Sequence, residues 1–404
     1  MRSSLALSAF LFTLSTATAA DWPQWLGPRR DGSSEEVVMP WKQSPKILWK
    51  QPVGEGHSAP VVAVGKVFVF SKVADKDDEQ VEAFDAVTGK RIWRQICQRG
   101  NFKGLYGNGP RGTPAVDNGK VYTFGITGVL TCLDAADGAR LWQVDTLKQY
   151  QAANLFFGVS GSPLVEGDRV LVNVGGKGAS IVAFDKNTGQ ETWKTLDDKA
   201  SYSSPIAIGA DDNRQLVFLT AKGLVGIAPK NGSLLWQFPF QDALFESSTT
   251  PVLAGEILIG SSITLGCVGL KLDGTKVSKI WLDDTLTCYF STPVSVAKKH
   301  VYLVTGNLIN KQASLHCMEA ATGKTLWTRK DKVGEFHASL LRTGDNKLLL
   351  LEEAGNLVLV DPDPKEYREL ARAKICGNTW AHPALANGRL YVRDNKDLVC
   401  AELK

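Results

Sequence analysis

Hydrophobic and polar positions alternate with period two through short runs along most of the chain, and Gly-containing turns cut the runs apart. The stretch 61–70, VVAVGKVFVF, is typical. Such runs predict short antiparallel strands, and their grouping predicts four strands per repeat. Each repeat has a small residue before Pro, an apolar strand, a second short strand, an Asp, then Thr-Gly or a substitute, and finally Trp. The first copy runs from Ser58-Ala59-Pro60 to Trp93, and the next two end at Trp142 and Trp193. The fourth, fifth and sixth carry Pro205 and Trp236, Pro251 and Trp281, and Pro293 and Trp327.

The last two copies are degraded. The seventh keeps Asp361 but lacks both the Pro and the Trp, and the eighth starts at Ala381-His382-Pro383 and has no outer strand of its own. A stray outer strand, Ile47-Leu48-Trp49, stands at the other end, and its Trp lies 44 positions before Trp93, in step with the repeat. A four-stranded sheet cannot bury its apolar faces alone, whereas radial stacking buries them and protects the edges. The expectation is an all-β fold: an eight-bladed β-propeller over 46–404, with four-stranded antiparallel blades and one blade shared by the N- and C-terminal strands. Trp49, Trp93, Trp142, Trp193, Trp236, Trp281 and Trp327 are expected to dock between blades, where one large side chain buries much area.

Aligning the copies also sorts the cysteines. Cys132, Cys317 and Cys400 share a strand position with Ala83, Ala183, Gly226 and Gly269, so the slot asks for a small residue, with Leu359 as the exception. Small buried thiols satisfy it. Cys97, Cys288 and Cys376 fall in loops between blades, where their spacing leaves pairing and redox activity open.

Residues 1–20 have Arg2, an apolar stretch from Leu5 to Leu14, and small residues at Ala17-Thr18-Ala19-Ala20. That order reads as a cleavable signal peptide. No Cys stands near the cleavage site to take a lipid anchor, and no later stretch is long enough for a membrane span. The expected location is periplasmic or secreted, and residues 21–45 remain as an N-terminal extension. A net charge of +4 without a basic run gives no electrostatic case for nucleic acid. A monomer is expected.

The repeat of Asp, Thr-Gly and Trp resembles the tryptophan-docking repeat of the pyrroloquinoline-quinone (PQQ) propeller superfamily, over about residues 46–404. The leading segment 22–32, WPQWLGPRRDG, is similar to the start of secreted bacterial PQQ-like repeat proteins. The resemblance implies the propeller fold and two classes of function: quinoprotein dehydrogenases, and non-catalytic propellers such as the outer-membrane assembly factor BamB. It also implies, for the dehydrogenases, an adjacent Cys-Cys pair and a Glu, Asn and Asp set for calcium. This sequence has no adjacent cysteines, and that ligand set has no matching positions. The first expectation is therefore a non-catalytic scaffold of the cell envelope that binds a protein partner or small ligand on its loop face, with no cofactor. The alternative is a PQQ-dependent dehydrogenase of alcohols or sugars, holding PQQ and Ca²⁺.

Long connections on a rigid scaffold are where ligand contacts arise, and two are long here: 98–112, with Tyr106 and Arg111, and 146–161, with Phe156 and Phe157. The residue three before each repeat's Pro position varies: His57, Arg111, Ser160, Tyr202, Ser248, Phe290, His337 and Trp380. Pseudo-symmetry makes these eight a ring at the channel mouth. Its aromatic, cationic and imidazole members suit a planar or anionic ligand; otherwise they plug the channel and meet solvent. The catalytic residues are unassigned. His57, His337 and His382 come from neighbouring blades, but no carboxylate is tied to them by spacing, and no metal site is assigned. The glycine run at 175–178 falls in a strand-to-strand turn, without the helix that a phosphate loop needs.

Overall fold

The computed structural model describes residues 21–403. The leader assigned above, 1–20, lies outside them. The described strands form eight four-stranded antiparallel sheets. Blade one contains Val61–Ala63, Lys66–Lys72, Glu79–Asp85 and Arg91–Cys97. Seven sheets are built from contiguous chain. The eighth joins Ala384–Ala386, Arg389–Arg393 and Asp397–Glu402 to Ile47–Pro52, with Trp49 opposite Cys400. The eight-bladed ring closed by both ends of the chain is thus as expected. Among the described residues helix is confined to single turns: Thr146–Gln149, capped by the Asp145 side chain, opens the long connection 146–161, and Asp211–Asn213 forms a 3-10 turn.

The repeat turn explains itself. In blade one the Asp85 carboxylate accepts from the Val87 and Thr88 amides and the Thr88 hydroxyl. Gly89 closes the turn at φ +70°, with Trp49 of the preceding blade packed so close that a Cβ would stand 2.6 Å from the ring. Glycine is required there twice over, by conformation and by space. The Trp49 indole then donates to the Ala86 carbonyl at 3.3 Å. Trp93, Trp142, Trp193, Trp281 and Trp327 each donate likewise to a carbonyl of the following blade. Trp236 departs from the pattern and donates to Gln215 of its own blade at 2.6 Å. The cause is the next blade, where Asp273 pairs with Lys276 across a two-residue turn, so no repeat-type turn is offered.

The small slot also has a cause. Ala83, Cys132, Ala183, Gly226, Gly269, Cys317 and Cys400 lie directly opposite Trp93, Trp142, Trp193, Trp236, Trp281, Trp327 and Trp49. In blade seven, which has no Trp, Leu359 faces Ala371. Volume is exchanged across the strand pair, large for small, and the layer stays filled. One cysteine needs correction: Cys97 is the last residue of an outer strand, paired with Glu79, and not a loop residue.

The N-terminal extension belongs to the propeller. It crosses one end of the channel and touches the inner strands blade by blade. Trp22 bridges to Val62, Pro23 accepts from Val116, and Arg30 reaches Pro163 and Pro205. Trp25 donates to Thr250, Ser34 bonds to Arg342, and Glu36 accepts from Asn387 and Gly388. Arg30 is fully buried with its guanidinium spent on three backbone carbonyls and Gln24. Burial pulls its pKa down to about 9, which leaves it cationic at neutral pH.

Candidate functional site: the open mouth of the channel

Consecutive antiparallel strands send their connections alternately to the two faces. The connections between blades therefore share a face with those between second and third strands, opposite the face crossed by the extension. On that open face a cavity of about 110 Å³ leads into the channel, walled by His57, Tyr106, Arg111, Tyr202, Phe290 and Trp380 and floored by Trp25 and His382. Ser160 and Ser248 line it as well. Seven of the eight ring positions read from the repeat thus meet around one opening. His337 does not line it. It is buried deeper, its ring nitrogens engaged by the Ser291 and Ser339 hydroxyls at 3.1 and 3.0 Å. Its blade lacks the Pro, and Ala338 already begins the inner strand Ala338–Arg342.

Small residues beneath the ring let adjacent inner strands approach. A Cβ on Gly112 would meet the Gly161 carbonyl at 2.9 Å, and one on Gly161 the Ser203 carbonyl at 2.9 Å. That crowding fixes the backbone from which the ring side chains project. His57 stacks on Trp380 with ring centroids 5.1 Å apart, and its Nε2 bonds to the Tyr106 carbonyl at 3.0 Å. Burial, with the nearby Arg111 charge, pushes its pKa down to about 3, so it stays neutral. Arg111 donates to the carbonyls of Phe157, Tyr106 and Gly107, which pins the two long connections to each other. Burial lowers it to about 10, so it keeps its charge at neutral pH. Tyr289 and Phe290 stack at 3.7 Å, and the Tyr289 hydroxyl donates to Glu246. Burial raises the Glu246 carboxyl above its usual range.

His382 is only 3% exposed, packs edge-on against Trp25 at 4.6 Å, and has no hydrogen-bond partner at either ring nitrogen. Burial lowers its pKa, with His337 adding to the effect. The three imidazoles do not all converge: His337, tied to serines, packs edge-on against His382 at the floor with ring centroids 5.7 Å apart, while His57 stands at the mouth. Among the described residues no cluster of His, Cys, Asp or Glu has the makings of a metal site.

The repeat nominated the ring and His382 of the floor but missed two other lining residues. Trp25 and Glu246 carry no repeat signal, and Trp25 reaches the channel through contacts more than two hundred positions away. Beyond the mouth, the loop face carries exposed apolar side chains. Leu105 and Phe156 of the two long connections are 70% and 74% exposed, Phe245 of the next inter-blade connection but one is 53% exposed, and Ile309 is 95% exposed.

Fold and mouth together define an eight-bladed propeller with one channel end covered by its own N-terminal extension and the other open beneath an aromatic rim. The profile of the PQQ-repeat family described as outer membrane protein assembly factor BamB matches residues 32–105 and 77–329, and the chain belongs to that family. It is 23% identical to the BamB protein of Burkholderia pseudomallei, over 85% of this chain and 84% of that one. It is 31% identical to a quinohemoprotein alcohol dehydrogenase of Comamonas testosteroni, but over 37% of this chain and 21% of that protein. The chain therefore matches about a fifth of that enzyme's length. Among solved structures, BamB from Moraxella catarrhalis superposes with a TM-score of 0.63 at 16% identity, covering 90% of this chain and 98% of that one. The dehydrogenase from Comamonas testosteroni gives a TM-score of 0.69 at 14% identity, covering 94% and 80%. Among the described residues no helix is long and apolar enough to cross a membrane.

Proposed function

We propose that the protein is a non-catalytic scaffold of the cell envelope that docks a protein partner on its open loop face. The observation that carries this reading is the placement of Leu105, Phe156, Phe245 and Ile309, large apolar side chains held in water around the mouth by connections on one face. Exposed apolar groups gathered on one face mark interaction surfaces, and aromatic anchors dominate such interfaces. Relatives named as outer membrane protein assembly factors match most of the chain, which supports an envelope partner.

The quinoprotein alternative asks for hard oxygen ligands around calcium beside the cofactor. The wall of the cavity offers one carboxylate, Glu246, already engaged by Tyr289, together with the cation Arg111 and neutral imidazoles. That donor set does not fit PQQ and Ca²⁺. The test pairs two measurements. A photocrosslinking residue replacing Phe156 should capture a discrete envelope protein, and the same residue replacing Val87, exposed on the opposite face, should not. Dye-linked turnover of an alcohol or sugar after reconstitution with PQQ and Ca²⁺ would overturn the proposal.

A further inference from the structure

Cys267 and Cys288 belong to different elements yet meet inside blade five. Cys267 is the second residue of the strand Gly266–Asp273, and Cys288 sits in the connection to blade six. Cys267 faces Ser261 in the antiparallel ladder, and the Ser261 hydroxyl accepts the Cys288 amide at 3.1 Å. The Cys267 thiol also donates to the carbonyl of Leu286, two residues before Cys288, at 2.9 Å. Both are free thiols in the folded chain, and the nearness of Cys288 together with burial raises the Cys267 pKa. Both side chains sit in one apolar cluster with Trp281 and Leu286. Three other core thiols have different company: Cys132, Cys317 and Cys400 each stand between a Tyr and a Trp of their own blade.

We propose that Cys267 and Cys288 form a disulfide that closes during folding in an oxidising compartment and ties the Tyr289–Phe290 wall of the channel mouth to blade five. The compartment rests on the envelope reading above; the pairing rests on the geometry alone. The reaction needs a disulfide oxidant, such as glutathione disulfide. One protein thiolate attacks it to give a mixed disulfide and one glutathione thiol. The second protein thiolate then displaces the second glutathione, so two protein thiols become one S–S bond while the oxidant becomes two thiols. Cys267 and Cys288 are 0% and 1% exposed in the folded chain. Exchange therefore belongs to the incompletely folded chain, where both thiols reach solvent. Cys288 is followed directly by the stacked Tyr289 and Phe290, so the bond restrains two rings of the mouth.

The experiment refolds the full-length chain from denaturant in mixed oxidised and reduced glutathione, alkylates it under denaturing conditions and digests it with trypsin. The expected product is a reducible cross-link between peptides 231–271 and 280–298, with the other five of the seven cysteines alkylated. Alkylation of all seven, or pairing scattered among the cysteines, would overturn the proposal. The oxidised protein should melt at a higher temperature than the reduced one, and a Cys288→Ala chain should show no such difference. If Cys288→Ala fails to fold, the peptide map of the unaltered chain still decides. Export is scored separately, on the chain made in a bacterial host with its own leader. A bridge in the refolded chain but not in the host-made one would leave the site standing and refute the oxidising location.

Discussion

Gly269→Ala tests the large-for-small exchange across the blades. A methyl there would stand 2.2 Å from Cε2 and 2.4 Å from Nε1 of Trp281. The indole has no free direction in which to retreat. Its N–H is bonded to the Ala320 carbonyl at 2.9 Å, and its face lies on Gly323, where a Cβ would come within 2.6 Å. The substitution therefore overpacks a rigid contact and should cost about 1–3 kcal/mol. Trp281→Ala alone should cost about 3–5 kcal/mol through the cavity it leaves. In that background the methyl of Gly269→Ala enters empty space, so its own cost should fall to about zero. The double-mutant cycle should thus return a coupling of about 1–3 kcal/mol. Urea unfolding followed by near-UV circular dichroism measures each corner, and calorimetry at each corner checks that the transition is two-state. Additivity of the two costs within about 0.5 kcal/mol would refute the exchange.

Blade seven offers the converse: Leu359→Ala should cost about 2–5 kcal/mol, and adding Ala371→Trp should recover part of it, read as urea midpoints. Arg30→Ala leaves buried carbonyls of Ser162, Pro163 and Pro205 without their donor, so about 1–3 kcal/mol should be lost; limited trypsin digestion should then cut within 42–46 sooner than in the unaltered protein. Glu79 is buried, and burial pushes its carboxyl up to about 7 from 4.5. A raised carboxyl favours the folded state while protonated, so stability should fall as pH rises from about 4.5 to 7, by up to about 3 kcal/mol. Glu79→Gln should flatten that slope in denaturant titrations at pH 5 and pH 8; an unchanged slope would show that Glu79 is not the group responsible.

The strand pattern and the glycine turns were legible because each repeat satisfies its own backbone. Asp85 caps its turn from three residues away, and Trp93 faces Ala83 ten positions back. Closure was legible because Trp49 keeps the repeat's spacing although its sheet partners lie at the far end of the chain. The ring of the mouth followed from pseudo-symmetry, except where the symmetry fails: blade seven lacks its Pro, and His337 turns inward to Ser291 and Ser339.

By itself, then, the sequence determined the number of blades, their closure and the slot that must be small, since these repeat at a fixed spacing and arise from contacts within a blade or between neighbours. Only the tertiary structure decided what fills the channel beneath that ring. Arg30 finds its carbonyls at 162, 163 and 205, Trp25 its partner at 250, and Cys267 shares an apolar cluster with Cys288 through a folded-back connection. None of these contacts repeats, so no periodicity announces them. They exist because eight inner strands converge on one axis and bring distant segments within hydrogen-bonding reach.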